Sequence, residues 1–352
     1  MHYYTFAAAN SGEGFVSFFN SILDEKHQNI YYLKGGPGCG KSTFMKQISK
    51  KFPSAELIRC SGDPQSLDGI LIKELNTAII DATSPHSYEP HYPGVCGNII
   101  DLGEVWETEK LNKEAIISMT DEKKEIYKGC YDLLKAAKSI YQATLKPAEE
   151  SIDSKVFEEI NKKILRQNAL TEASDKEFKT DFRYLSAISP EGLITLNDTF
   201  LQLGKNVILL EDRWMLADLM LNNLHQKLSS LRINHICCYN PLLGSSALQH
   251  IIIPHINLSI VSNCGLFNLE IPEENIIKTI SIQKYIPKSY MDEHKNKMVF
   301  FKKLIRELLI AATEKLKQAK TIHMKIEKEY AKGTNYNAAE PLKKKLMDKL
   351  MT

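Results

Sequence analysis

Several absences set the first limits on this chain. No long apolar run is present: the most hydrophobic stretch, residues 251–261, is broken by Pro254, His255 and Asn257 and is too short to cross a bilayer. No paired cysteine spacing is present either. The seven cysteines, at 39, 60, 96, 130, 237, 238 and 264, contain no C-x-x-C and are odd in number. That argues for reduced thiols and against a disulfide framework or a zinc site. The start, Met1-His2-Tyr3-Tyr4-Thr5, lacks the basic and apolar regions of an export signal. A net charge of +2 implies a surface of mixed sign. These absences predict a cytoplasmic globular protein with no membrane partner.

What is present is charge asymmetry and one glycine-rich stretch. From Lys288 onward there are sixteen Lys/Arg against eight Asp/Glu, so the tail is basic while the remainder is slightly acidic. The glycine-rich stretch is Gly35-Gly36-Pro37-Gly38-Cys39-Gly40-Lys41-Ser42-Thr43, which fits the phosphate-loop pattern G-x-x-x-x-G-K-[ST]. Before it, residues 29–34 form a short β-branched and aromatic run that reads as a buried strand. After it, Phe44, Met45 and Ile48 recur at helical spacing until Pro53. Glycines let successive backbone N–H groups face a phosphate without a Cβ in the way, and the helix that follows presents its own unsatisfied N–H groups and dipole. Lys41 is placed to neutralise β- and γ-phosphate oxygens, and the Ser42 hydroxyl to complete the shell of a Mg²⁺ ion. The chain is therefore expected to bind a nucleoside triphosphate, ATP, with Mg²⁺.

An internal repeat organises the rest. Residues 6–15 resemble residues 184–193, with Ala9/Ala187, Ser11/Ser189, Glu13/Glu191 and Gly14/Gly192 coinciding. Residues 30–33 match 207–210, and Ile58-Arg59-Cys60 matches Ile236-Cys237-Cys238. Residues 67–81 match 248–262 through Leu67/Leu248, Ile70/Ile251, Ile72/Ile253, Asn76/Asn257 and Ile79/Ile260, and residues 98–100 match 275–277. The expected fold is α/β, a duplicated phosphate-loop NTPase-like core with a parallel sheet, each half followed by a helical section. The expected segments are 1–103, 104–180, 181–287 and 288–352. Within the first core, residues 56–60 and 77–81 read as strands, residues 64–75 as a helix and residues 84–97 as an irregular crossing. A helix is expected from Thr120 to Pro147, a second through Ile152, Val156, Ile160 and Ile164, and a long one through Phe301 to Tyr330 closed by Gly333. These helices are expected to pack on their own core or on each other.

In the second half, residues 211–218 stand where the glycine-rich loop should be. Lys41 falls opposite Ala217 and Ser42 opposite Asp218, and Glu211, Asp212 and Asp218 would repel phosphate. One nucleotide per chain is therefore expected. In the first half, Asp81 ends a strand and is the candidate for the metal's second-shell acid, the alternative being an ordinary strand-terminal turn. Asp63 and Asp68, in the turn after the second strand, are candidates to orient water, the alternative being plain loop acids. His86, Glu89 and His91 offer two imidazoles and a carboxylate but no further close ligand, which favours a polar loop over a metal site. Cys39 offers phosphate only its backbone. Arg213 and Arg232 are candidates for a guanidinium reaching the first site from the second half.

The combination resembles a family of uncharacterised bacterial phosphate-loop ATPases built as a tandem of two similar halves. The resemblance rests on residues 33–43, Cys60-Ser61-Gly62-Asp63-Pro64 with residues 66–69, residues 80–83 with Pro85 and His86, and Tyr92-Pro93-Gly94. It implies ATP binding and hydrolysis and names no substrate. Members often keep a glycine-rich loop in the second half, and this chain departs from them at residues 211–218. The expected activity is ATP hydrolysis at Lys41, Asp81, Asp63 and Asp68. The alternatives are a small-molecule kinase, whose loop is the same, and a non-hydrolysing scaffold gated by nucleotide. The basic tail suits an unknown protein partner or, less well, nucleic acid.

Overall fold

The strand before the glycine-rich loop is buried along Ile30, Tyr31, Tyr32 and Leu33, as a central strand covered on both faces must be. The computed structural model describes residues 2–84, 87–92, 95–173 and 178–351. It shows a mixed α/β protein with two six-stranded sheets. The first half contains β1 (Tyr3–Phe6), a small hairpin of β2 (Ala8–Ser11) and β3 (Gly14–Ser17), and a single turn α1 (Phe19–Ile22). There follow β4 (Asn29–Lys34), α2 (Lys41–Ser49), β5 (Glu56–Arg59), β6 (Leu67–Ile72), β7 (Thr77–Asp81) and β8 (Asn98–Asp101). Two helices, α3 (Lys113–Glu150) and α4 (Ser154–Gln167), lead to the second half. There the order repeats as β9 (Thr180–Arg183), the hairpin β10 (Ser186–Ser189) and β11 (Gly192–Thr195), α5 (Asn197–Leu203) and β12 (Asn206–Glu211). It continues with α6 (Ala217–Ser230), β13 (His235–Tyr239), β14 (Leu248–Ile253), β15 (Leu258–Asn263) and β16 (Ile276–Ser281). The chain ends in α7 (Lys288–Lys332) and α8 (Tyr336–Met351).

Both sheets have one strand order. The first runs β1-β5-β6-β7-β4-β8 and the second β9-β13-β14-β15-β12-β16. The third strand of each is antiparallel to its two neighbours, so the sheets are mixed and not wholly parallel as expected. This also corrects the reading of residues 64–75 as a helix. Leu67, Ile70 and Leu71 do have helical spacing, but Leu67–Ile72 is buried throughout between two strands, where an unbroken apolar run satisfies both faces. The turn after it ends at Asn76 in one half and Asn257 in the other, both left-handed (φ 45° and 55°), a conformation asparagine tolerates. Two of the repeat alignments shift in register. Leu57 opposes Ile70 as Cys237 opposes Ile251, so Ile58 corresponds to Cys238. Ile99 sits on Tyr32 as Thr279 sits on Leu209, so β8 corresponds to residues 278–281.

The helices also differ from expectation. α3 starts at Lys113 behind an Asn112 side chain that accepts from the Ala115 amide, and Thr120 lies inside it, its hydroxyl donating to the Ile116 carbonyl. α3 runs on past residue 147 to Glu150, whereas Gly333 does cap α7. α3 and α7 lie antiparallel, with Lys123 beside His323 and the Cys130 thiol on the Ala312 carbonyl. Most unexpected is where the helices pack. α3 and α4 bury Leu134, Ala137, Tyr141, Phe157 and Ile164 in the core of the second half. α8 returns Leu346 and Leu350 to Phe44, Met45 and Ile48 of the first. Each half is closed by helices that follow the other.

The halves join where equivalent residues meet. Phe6 and Tyr184, aligned in the repeat, exchange both backbone hydrogen bonds at 3.0 and 2.8 Å. Beside them Glu56 of β5 takes a two-pronged bond from Arg183 of β9, with Thr5 (2.7 Å) and Tyr3 (3.0 Å) donating to the same carboxylate. Both charged side chains are only 3% exposed. Burial works to raise the Glu56 pKa, but Arg183 overrides it and holds the group at about 2. With a folded pKa below the ordinary 4.5, the pair's contribution is present above about pH 4.5 and is lost as pH falls toward 2. Glu56→Leu strands a buried guanidinium and should cost about 3–5 kcal/mol in denaturant melts, while Glu56→Leu with Arg183→Met should recover most of that. Equal losses in the single and double variants would show that the carboxylate matters for packing alone.

Candidate functional site

The turn from β4 into α2 needs backbone conformations that only glycine adopts without strain. Gly35, Gly38 and Gly40 have φ of 134°, 77° and 89°, and Gly40 caps α2 in the left-handed region. Gly36, Pro37 and Gly38 are half-buried, Cys39 is buried and Thr43 exposed. Burial raises the Cys39 thiol pKa, which suits a packing role and not a reactive one. Lys41 folds back into the loop. Its ammonium donates to the carbonyls of Gly35 and Gly36 and lies 3.5 Å from the Asp81 carboxylate, at the end of the parallel strand next to β4. Burial raises the Asp81 pKa, Lys41 opposes the shift, and the Thr83 amide and hydroxyl hold one carboxylate oxygen.

Because residues 67–72 are a strand, Asp68 is not in a turn. The register that pairs Gly69 with Ile80 sets Asp68 opposite Asp81, and the Cys60 thiol donates to it. Ser42 accepts from the Leu67 amide at 2.9 Å, at the head of the same strand. Two carboxylates, a hydroxyl and an ammonium thus gather at the carboxyl edge of the first sheet. Asp63 sits further out, bound by Lys320 at 2.8 Å and by the Ser66 hydroxyl at 2.6 Å.

Lys320 belongs to α7, and with it comes a set of residues that no sequence pattern links to this loop. Glu327 lies against Gly38, where a Cβ would sit 3.2 Å from its carbonyl. Trp106 and Tyr330 meet over Gly36 with their rings tilted and 4.9 Å apart, and the Tyr336 hydroxyl donates to the Gly38 carbonyl. The Trp106 indole N–H is buried with no partner among the described residues. Lys123 of α3 donates to His323 at 3.3 Å, and burial, with Lys123 next, pushes the His323 pKa down to about 4. That imidazole is neutral at pH 7. Of the other candidates, Glu89 pairs with Lys34 and His91 with Glu25, so they do not converge, and His86 lies outside the described residues. Arg213 is remote. Its carbonyl receives Lys302, and from Lys302 to Glu327 is roughly 25 residues of one helix, about 37 Å.

The second loop is shaped around a charge of its own. The Asp212 carboxylate accepts from the amides of Leu216 and Ala217, both at 2.8 Å, at the N-terminus of α6. It occupies the place an anion would take. Met215, at φ 59°, makes the turn that a glycine makes in the first half. Glu211 points into solvent and does not take part. Asp218 is enclosed beside Asp212, and burial, then the charges of Asp212 and Glu149, push its pKa up to about 7, with one carboxylate oxygen left without a hydrogen-bond partner among the described residues.

A carboxyl whose folded pKa is raised from 3.8 to about 7 penalises folding increasingly as pH rises between those values. Asp218→Asn should therefore raise the melting temperature at pH 8 more than at pH 4. The gain should be about 2 kcal/mol once partial solvent access is allowed for. An equal change at both pH values would place the titration elsewhere.

Comparison with known proteins finds no matching family, no similar curated protein and no similar solved structure, so the reading of this site rests on its own residues.

Proposed function

We propose that the first half binds ATP with Mg²⁺ at Gly35, Gly36, Pro37, Gly38, Cys39, Gly40, Lys41, Ser42 and Thr43 and hydrolyses it. On this reading the protein is a phosphate-loop ATPase of duplicated ancestry whose second loop no longer takes nucleotide. The observation that carries the proposal is the arrangement of Lys41 and Asp81 at the mouth of a glycine-built turn. The loop supplies amides for the β-phosphate, the adjoining strand supplies the acid, and the ammonium stands between them. The loss of this arrangement in the other half supports the reading further, because Asp212 fills there what phosphate would fill here.

The donor set fits a hard cation: the Ser42 hydroxyl, Asp81 and, beside it, Asp68 offer oxygen only. When bound, Mg²⁺ would neutralise phosphate charge during transfer. Lys41 would leave the Gly35 and Gly36 carbonyls for the phosphates. Asp63, held at the mouth among Lys320, His323 and Glu327, is placed to orient the attacking water. Lys320, bound to Asp63, and Lys123, beside His323, bring further cations to this mouth, so α7 and α3 would take the role first sought in Arg213 and Arg232. Tyr330 and Trp106 cover the loop and keep bulk water away from Gly36.

Turnover by the purified chain tests this. Lys41→Ala should lower ATP hydrolysis by about 10²-fold or more. Asp81→Asn should weaken the Mg²⁺-dependent reaction far more than metal-free nucleotide binding. Since the Asp81 pKa is raised, Mg²⁺ dependence should fade on acidification sooner than for an ordinary carboxylate. Calorimetry should give one ATP per chain. Unchanged hydrolysis in Lys41→Ala would remove the site, and two equal sites would remove the single-site reading. ADP release only with an added metabolite would make the protein a kinase, and tight binding without turnover a nucleotide-gated scaffold.

A further inference from the structure

A second constellation lies on the opposite side of the chain's chemistry, in the half without a phosphate loop. His235 and Cys237 alternate on one face of β13, and α6 packs over that face and brings His225 down onto them. His225 Nδ1 is 2.8 Å from His235 Nε2 and 3.3 Å from Cys237 Sγ. The three donor atoms all lie within 4.8 Å of one another. One turn further along α6, the Ser229 hydroxyl is 3.4 Å from the same His225 nitrogen.

The tautomer of His235 follows from its other contact. Its Nδ1 is 2.7 Å from the Ile233 carbonyl, which only accepts, so Nδ1 carries the proton and Nε2 presents a lone pair to the cluster. A ring nitrogen anchored on a backbone carbonyl while the other faces inward is how metal-bound histidines are oriented. We propose that His225, His235 and Cys237 form a zinc site, with solvent or Ser229 as the fourth ligand. Tetrahedral zinc needs N–N and N–S separations of about 3.3 and about 3.6 Å, so a shift of His225 by about half an ångström opens the place.

Two further observations favour a ligand over a packing accident. The fold does not need these side chains on the strand: by strand register Cys237 corresponds to Leu57 and His235 to Ala55 in the first half. Both imidazoles are also ready to bind. Burial lowers the pKa of both rings, which favours the neutral imidazole that a metal takes. The Cys237 thiol, raised by burial, gives its proton to solvent as the zinc–sulfur bond forms. His225 is only half-buried and marks the way in. The site would staple the later turns of α6 to β13, and it is independent of any reading of the phosphate loop.

Full-length protein stripped with a chelator and titrated with Co²⁺ tests the proposal. One Co²⁺ per chain is expected, with a thiolate-to-cobalt absorption band displaced by Zn²⁺, and the chelator should lower the melting temperature of protein as purified. Cys237→Ser should abolish the thiolate band, and His225→Ala should weaken binding by about 10²-fold or more. Cys238→Ser is the control, because that thiol faces the other side of β13 into a separate core, and it should keep the band. If the variants fail to fold, stoichiometry and spectrum of the unsubstituted chain decide alone. Absence of Co²⁺ and Zn²⁺ binding, binding of copper(I) only, or a thiolate band that survives Cys237→Ser would overturn the assignment.

Discussion

The buried contact of Glu56 with Arg183 is the constraint on which the remaining geometry depends. An ion pair out of water gives little net stability, because desolvation cancels most of the attraction, but it punishes any arrangement that separates the partners. Here the carboxylate is also tied to Tyr3 and Thr5, so its position in the first sheet is fixed before Arg183 arrives from the second. With the Phe6–Tyr184 pairing alongside, this fixes how the two halves face each other. The antiparallel seating of α3 on α7 then follows, and with it the crossing of helices from one half to the core of the other. A one-residue slip at β1 or β9 would turn these side chains to the opposite face and break the pair.

That crossing gives each loop neighbours from both halves. The first loop lies under Glu327 and Tyr330 of α7, and the second packs against Tyr141 of α3 and Lys302 of α7. The two loops answer one electrostatic problem in two ways. A helix N-terminus left with bare amides in a half-buried place requires an anion, and a loop too short and bulky for a phosphate must supply its own. Asp212 does so with one carboxylate that reaches two amides. The first loop keeps its glycines and has no acidic side chain there. The charges it gathers come from Lys41, from Asp81 and Asp68 across the strand ends, and from Glu327 of α7.

Much of this was legible in the sequence because it is local. The glycine-rich turn, the strand before it, the end of β7 at Asp81 and the stripe of α7 follow from patterns within about ten residues. The errors arose where distant packing decides. Residues 67–72 share helical and strand spacing, and only their burial between β5 and β7 selects the strand, which in turn moves Asp68 beside Asp81. Two of the repeat matches slipped because short apolar strands align nearly as well two or three residues away. Lys320, His323 and Glu327 fall on one face of α7, but nothing in their spacing says which surface that face meets. The cluster of His225, His235 and Cys237 has no local signature for a similar reason: one cysteine joined by histidines from a strand and a helix leaves no C-x-x-C spacing.

The retained second half has a physical use even with its own loop closed. Lys302 donates to the carbonyls of Arg213 and Cys264, and Arg306 donates to that of Gly265, so the start of α7 is fastened to the edge of the second sheet. From there the helix runs unbroken to Lys332 and carries Lys320, His323 and Glu327 to the first loop. A long helix packed along its length on α3 moves as a rod, so displacement at one end reaches the other. Held by Asp212, the second loop gives α7 a fixed anchor, from which Lys320, His323 and Glu327 take their places over the first loop.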